Sequence, residues 1–205
     1  MKRKYLKGFS KFSIFPIVQN TEESYIVGEK VSIPSAQTLS KDLDVEEEDI
    51  LADDELWDKD RSVKGENFTL TLKELPDELR SKLEGGTYDP TTGEYSFKTT
   101  DVAPEFACTY RGLRADGTYK MFRQYRAKVN TIKEDLETKG NGNSSSVEIS
   151  GVFMGRACDS ELVTTKATEE GNADLTWLDT IPSVPAENNQ ENNQENNQED
   201  NQGGE

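Results

Sequence analysis

Histidine does not occur anywhere in this chain of 205 residues. Its absence removes Ser-His-Asp and Cys-His catalysis and the commonest metal ligand together, and leaves only carboxylate chemistry open. Cysteine is nearly missing too: Cys108 and Cys158 are the only two, with no Cys-x-x-C, and are expected as reduced, buried thiols in a reducing cytoplasm. Apolar residues make up only 32% of the chain, little for a compact globule, and no run approaches membrane-spanning length. The opening Met1-Lys2-Arg3-Lys4 has the charge of a signal-peptide start. Lys7 and Lys11 then break every apolar run and no small-residue cleavage site follows, so no leader is expected. Positive charge is in deficit, 24 Lys and Arg against 40 Asp and Glu, for a net charge of −16. Such a chain repels polyphosphate, which argues against reading or packaging DNA by direct binding.

What is present is unevenly spread. Residues 187–205 carry no apolar side chain and repeat Glu-Asn-Asn-Gln from Glu187 through Glu191 and Glu195. This tail, residues 186–205, cannot bury anything and is expected to be disordered beside one folded unit over residues 1–185.

Within that unit the dominant period is two. Phe12 to Val18 reads as a strand, and Tyr25, Val27 and Val31 as a second. From Gln37, Leu39, Leu43 and Val45 alternate with Thr38, Ser40, Asp42, Asp44 and Glu46, which places those three acids on one strand face. Phe68, Leu70 and Leu72 alternate with Thr69, Thr71 and Lys73. The period changes once: Pro76-Asp77-Glu78 starts a helix, Leu79 and Leu83 share its face, and Gly85-Gly86 ends it. A hairpin is expected over Tyr88–Phe97 and a strand over Phe106–Arg114, with a turn at Ala115-Asp116-Gly117. The next strand is expected to carry Tyr119, Met121, Arg123, Tyr125, Ala127 and Val129 on one face. Its other face would hold Lys120, Gln124, Arg126 and Lys128. Gly140 to Ser144 reads as a loop, Val147, Ile149 and Phe153 as a late strand, and Leu175, Trp177 and Ile181 as a last one.

The most unusual stretch is Val45–Trp57. It packs Glu46, Glu47, Glu48, Asp49, Asp53, Asp54 and Glu55 around Ile50, Leu51, Leu56 and Trp57, with no cation before Lys59. A solvated loop would not display Leu56 and Trp57, and a core would not take the acids. A segment reaching onto another subunit uses both, so residues 45–62 are read as an assembly loop. Asp53, Asp54, Leu56 and Trp57 are its contact residues, and the basic cluster Lys120, Arg123, Arg126 and Lys128 is a surface it can meet, with Arg123, Arg126 and Lys128 as the interface candidates. Scattered surface ion pairs are the plainer reading of that cluster.

Other chemistry weighs less. Asp42-x-Asp44-x-Glu46 has the alternate spacing of the first calcium-loop ligands, but lacks the glycine at the sixth position and the closing glutamate. Acids beside Trp57, such as Asp53 or Asp58, invite comparison with the paired carboxylates of glycosidases. With 40 acids in the chain, such neighbours arise by chance. No cofactor, metal or catalytic residue is assigned.

The order of segments carries a resemblance. Tyr5-Leu6-Lys7-Gly8-Phe9 and Phe12-Ser13-Ile14-Phe15-Pro16 lead to the acidic run ending Leu51-Ala52-Asp53-Asp54. Glu66-Asn67-Phe68-Thr69-Leu70-Thr71-Leu72 then precedes Leu75-Pro76-Asp77 and the helix. Arg123-Gln124-Tyr125-Arg126-Ala127-Lys128 and Val147-Glu148-Ile149-Ser150-Gly151-Val152-Phe153 follow. Over roughly residues 3–181 this succession resembles the major tail proteins of long-tailed, non-contractile bacteriophages of Gram-positive bacteria. The resemblance implies a mainly β (α+β) fold, a β-sandwich or partial barrel with one flanking helix. It implies hexameric rings whose strands form an inner β-barrel, stacked into a tail tube through which double-stranded DNA passes without sequence-specific binding. Tape-measure, tail terminator and distal tail proteins are the implied partners, and a virion tail assembled in the host bacterial cytoplasm the implied location, with no membrane. Asp42, Asp44 and Glu46 are the candidate lumen residues, because an acidic wall holds DNA off. A carbohydrate-binding or adhesin-like β-sandwich is the alternative from another class, and a carboxylate-based hydrolase a third.

Overall fold

The structure, a computed structural model, describes residues 4–52, 55–136, 146–168 and 174–185; at 51, 52 and 55–57 it describes the backbone alone. The expected loop at Gly140–Ser144, the Glu-Asn-Asn-Gln tail and Asp53 and Asp54 lie outside the described residues.

The chain is built almost wholly from strands: β1 (Leu6–Asn20), β2 (Tyr25–Val27), β3 (Val31–Ser32), β4 (Ala36–Ala52) and β5 (Glu55–Leu72), then helix α1 (Asp77–Glu84), then β6 (Thr87–Asp89), β7 (Glu94–Ser96), β8 (Glu105–Arg114), β9 (Tyr119–Asp135), β10 (Ser146–Met154) and β11 (Val163–Ala167). Nine of them form one antiparallel sheet in the order β2-β1-β8-β9-β10-β5-β4, with β3 also on β1 and β11 on β9; β6 and β7 pair apart as a small hairpin. The sheet curls until β4, at one end, comes beside β1. This is a partial barrel with one flanking helix, as the strand-rich sequence with its single 3.6-period segment implied.

The main core fills the concave side of that curl. Phe12 and Ile14 from β1, Phe68, Leu70 and Leu72 from β5, and Val147, Ile149 and Phe153 from β10 meet Phe106 and Cys108 from β8 there. Phe68 and Phe153 stack with centroids 4.3 Å apart, a geometry worth about 1 kcal/mol beyond the area it buries. The helix closes one end. Pro76 stands at its N-cap, Leu83 is buried against the core, and Gly85 ends it at φ +89°, its N–H donating to the Ser81 carbonyl. A smaller cluster lies on the convex side, where Phe15, Tyr25, Ala107, Tyr125 and Ile181 pack together.

Two bulges explain how both faces come to be filled. Between the pairs Phe106↔Ala127 and Cys108↔Gln124, two steps along β8 correspond to three along β9. Side-chain parity therefore reverses along β9. Phe122 and Ala127 both reach the main core, whereas Tyr125 turns to the other cluster. The expectation of one continuous face from Tyr119 to Val129 is thus corrected: the extra residue in β9 moves Ala127 and Val129 to the side that Gln124 occupies. In β1 a second irregularity between Ser10 and Ser13, with Lys11 at φ +59°, lets Phe9 and Phe12 share a face although they are three apart.

Three further differences concern short elements. Tyr25–Val31 is two strands rather than one, interrupted at Gly28, whose N–H donates to the Pro16 carbonyl. The segment expected as a last strand is a 3₁₀ turn at Thr176–Asp179 that drops Leu178 into the sheet. There Thr109 Oγ1 donates to the Leu178 carbonyl. Strand β11 had no clear alternation to announce it.

Candidate assembly surface

Residues 45–52 and 55–62, within the span expected as a loop, are paired strands in the outer half of a hairpin. Strands β4 and β5 stay paired from Ala36↔Leu72 as far as Ala52↔Glu55, interrupted only by small register shifts. Support from a third strand stops much earlier, because β10 leaves β5 at Phe153↔Glu66. From Val45 to Ala52, at about 3.3 Å per residue, the ribbon runs roughly 25 Å beyond the sheet with only its own two strands. Its acids pair across the two strands: Lys59 Nζ lies 3.1 Å from Glu47 and 3.5 Å from Asp49, and Lys64 Nζ 2.9 Å from Glu46. These pairs are solvent-exposed and each is worth little. Leu43, Ile50 and Val63 are exposed apolar side chains of the same ribbon. The side chains of Leu56 and Trp57, like Asp53 and Asp54 entirely, lie outside what the structure describes.

Asp42 and Asp44 are exposed on β4, on the face turned away from Leu39 and the main core, and Glu46 follows them, ion-paired to Lys64. That face continues across four strands in register. Ser40, Thr69, Ser150 and Thr131 form one row, and Thr38, Thr71, Glu148 and Lys133 the next. Asp42, Asn67, Val152 and Lys128 form a third. It is a hydroxyl-rich surface with charges of both signs, and no layer covers it among the described residues.

The β9 bulge brings the three basic interface candidates to the convex side: Arg123 lies opposite Thr109, Lys128 opposite Glu105, and Arg126 two residues along from Lys128. Arg123 is buried inside the subunit: its Nη2 donates to the Trp177 carbonyl at 2.7 Å and its guanidinium carbon lies 3.9 Å from the Trp177 ring centroid. Burial holds its pKa below the usual guanidinium range. Arg126 is half-buried and grips Glu105 through Nε and Nη2, at 2.9 and 2.6 Å. That grip holds the Glu105 carboxyl below the usual carboxylate range. Lys128 stands on the hydroxyl face in the row of Asp42, with Arg126 next to it on the same strand face. Arg123 and Arg126 thus already have partners within the subunit.

One cluster was not anticipated. On the concave side Lys41 Nζ donates to both oxygens of Glu66 at 2.8 Å, and Gln124 Nε2 donates to Glu66 Oε2 at 2.9 Å and to the Tyr110 hydroxyl at 3.4 Å. Its signal was present: Lys41 occupies an odd position between Leu39 and Leu43, where parity places it on the core side. Above this cluster, between the outer edges of β1 and β4, lies a groove of about 450 Å³ floored by Phe9, Leu39, Tyr110 and Phe122. Tyr110 and Phe122 stack with centroids 4.8 Å apart.

No family model matches the sequence, and no curated protein matches it significantly. Among solved structures, similar chains occur in the tube-terminating cap of the anti-feeding prophage (AFP), with 10% identity, TM-score 0.45, and 77% of this chain and 89% of that one covered. Another is in the sheath–tube complex of the extracellular contractile injection system PVC in its extended state, with 14% identity, TM-score 0.46, and coverage of 77% and 89%. A third is in the AFP baseplate, with 8% identity, TM-score 0.42, and coverage of 81% and 97%. These are distant likenesses.

Proposed function

We propose that this chain is a structural subunit that polymerises with copies of itself into a phage-type tail tube. The observation that carries the reading is the β4–β5 ribbon, which extends past its last supporting strand while exposing Leu43, Ile50 and Val63. A two-stranded ribbon is marginal in water without a third strand or a packed face. The long outer edge of β4 is also unpaired among the described residues, a template for another strand. A subunit with both features is completed by its neighbours.

Closure of six subunits into a ring would remove those edges, and stacking of rings would give a hollow conduit. The hydroxyl face with Asp42, Asp44 and Glu46 is the surface best suited to a lumen, since hydroxyls and acids let duplex DNA slide without sticking. Tape-measure, terminator and distal tail proteins would bound the tube's length and ends, in a virion tail assembled in the host cytoplasm. Negative-stain electron microscopy of the purified protein at rising concentration tests the reading. Rings or tubes are expected; a protein that stays single at millimolar concentration, even with the other components of its virion, overturns it.

A further inference from the structure

Between β1 and β4 the partial barrel is open. The outer edge of β1 over Leu6–Ser10 and that of β4 over Ala36–Leu43 have no strand partner among the described residues. They face each other across the groove floored by Phe9, Leu39 and Phe122, with Leu6 at its mouth. Its surroundings are cationic in a chain of net charge −16. Lys7 and Lys11 are exposed there with no ion-pair partner among the described residues, and Arg111, stacked 4.2 Å over Tyr119, lines the same trough.

We propose that this groove receives the acidic ribbon of a second copy of the chain, a step that rests on the self-assembly reading above and names its acceptor. The ribbon offers what the groove lacks. Ile50 is apolar and exposed, and Glu46, Glu47, Glu48 and Asp49 lead into it as a continuous acidic run. Apolar side chains seat on the aromatic floor, the acids meet Lys7 and Lys11, and a ribbon strand pairs with an open edge. The occupant is not the subunit's own ribbon. Leu39 and Ile50 lie on one continuous strand, which at about 3.3 Å per residue sets them roughly 36 Å apart. Donor and acceptor are therefore different surfaces at opposite ends of the hairpin. Such a contact is head-to-tail, and repeats around a ring or along a filament instead of stopping at a pair.

Zero-length carbodiimide cross-linking tests this on the full chain, assembled from equal parts of unlabelled and ¹⁵N-labelled protein. Peptide mass spectrometry is expected to find mixed-isotope links joining Glu46–Asp49 to Lys7 or Lys11. Assembled protein without any such link overturns the acceptor assignment and leaves self-assembly standing. Protein that forms no assembly at all overturns the reading beneath it. In a second arm, Lys7→Glu with Lys11→Glu is expected to raise the concentration needed for assembly at least tenfold. Adding Glu47→Lys with Glu48→Lys is expected to restore it. Assembly of the Lys7/Lys11 variant at the wild-type concentration likewise overturns the assignment.

Discussion

The guanidinium of Arg123 lies over the indole of Trp177, 3.9 Å from centroid to carbon, and donates to that residue's own carbonyl. A cation placed on β9 thereby pins the 3₁₀ turn to the convex face of the sheet. Losing the stacking and the charge-assisted hydrogen bond, Arg123→Ala is expected to cost about 2 kcal/mol of unfolding free energy. Arg123→Lys should recover less than half, since an ammonium cannot lie flat on the ring. Urea denaturation measures both; an unchanged midpoint for Arg123→Ala would contradict this placement.

The ribbon makes the opposite prediction, of assembly lost with folding kept. Leu56→Asp with Trp57→Asp alters its far end, well beyond Glu66 where the last supporting strand departs. The monomer's urea midpoint should hold while sedimentation shows no polymer. Normal tubes from this variant would refute the assembly role of the segment.

Asp42 and Asp44 are exposed on the hydroxyl face, so Asp42→Lys with Asp44→Lys should alter stability by less than about 0.5 kcal/mol. Tubes are expected to form. DNA delivery by virions carrying them should fall, because a cationic wall retains duplex. Unchanged infectivity would place these residues away from the lumen.

Glu105 provides a pH test. Its folded pKa is depressed, first by the hydrogen bonds from Arg126. Its contribution is therefore present above the unfolded carboxylate value, about 4.3, and is lost as pH falls through the lower folded one. Glu105→Gln should cost about 1 kcal/mol at neutral pH for this half-buried pair. The gap between variant and wild type should close as pH falls through the depressed folded value and the wild-type carboxylate is protonated. A gap constant from pH 7 to pH 3 would show that the ion pair contributes nothing.

The two thiols should differ. Cys108 is fully buried and burial pushes its pKa up, whereas Cys158 is half-buried; neither is in a disulfide. An aromatic disulfide reagent is expected to label Cys158 alone in native protein, and both residues once it is unfolded. Rapid labelling of Cys108 under native conditions would mean that the β8 core opens readily.

Much of this was legible from residue order. Alternation in Phe68-Thr69-Leu70-Thr71-Leu72 put the right side chains in the core, since a strand's period admits no other arrangement. Pro76 and Gly85 bounded the only α-helix among the described residues, because each suits one helix end and not the other. The parity of Asp42, Asp44 and Glu46 was legible for the same reason as the core.

What alternation could not supply was where it breaks. The β9 bulge exists because β8 and β9 must pair in register while filling two cores, a demand of the partner strand that leaves no mark in β9 itself. It also turned Arg126 and Lys128 to the side of Arg123, where strict alternation had set them opposite. The acidic run at Glu46–Asp49 was plain as a run. That it continues a hairpin past its last supporting strand, and that an apolar groove with cations unpaired among the described residues lies open between β1 and β4, was decided by the curl of the sheet. Charge and periodicity are local and were determined by the sequence itself. Edges, grooves and the partner of each cation depend on which strands meet, and only the tertiary structure decided those.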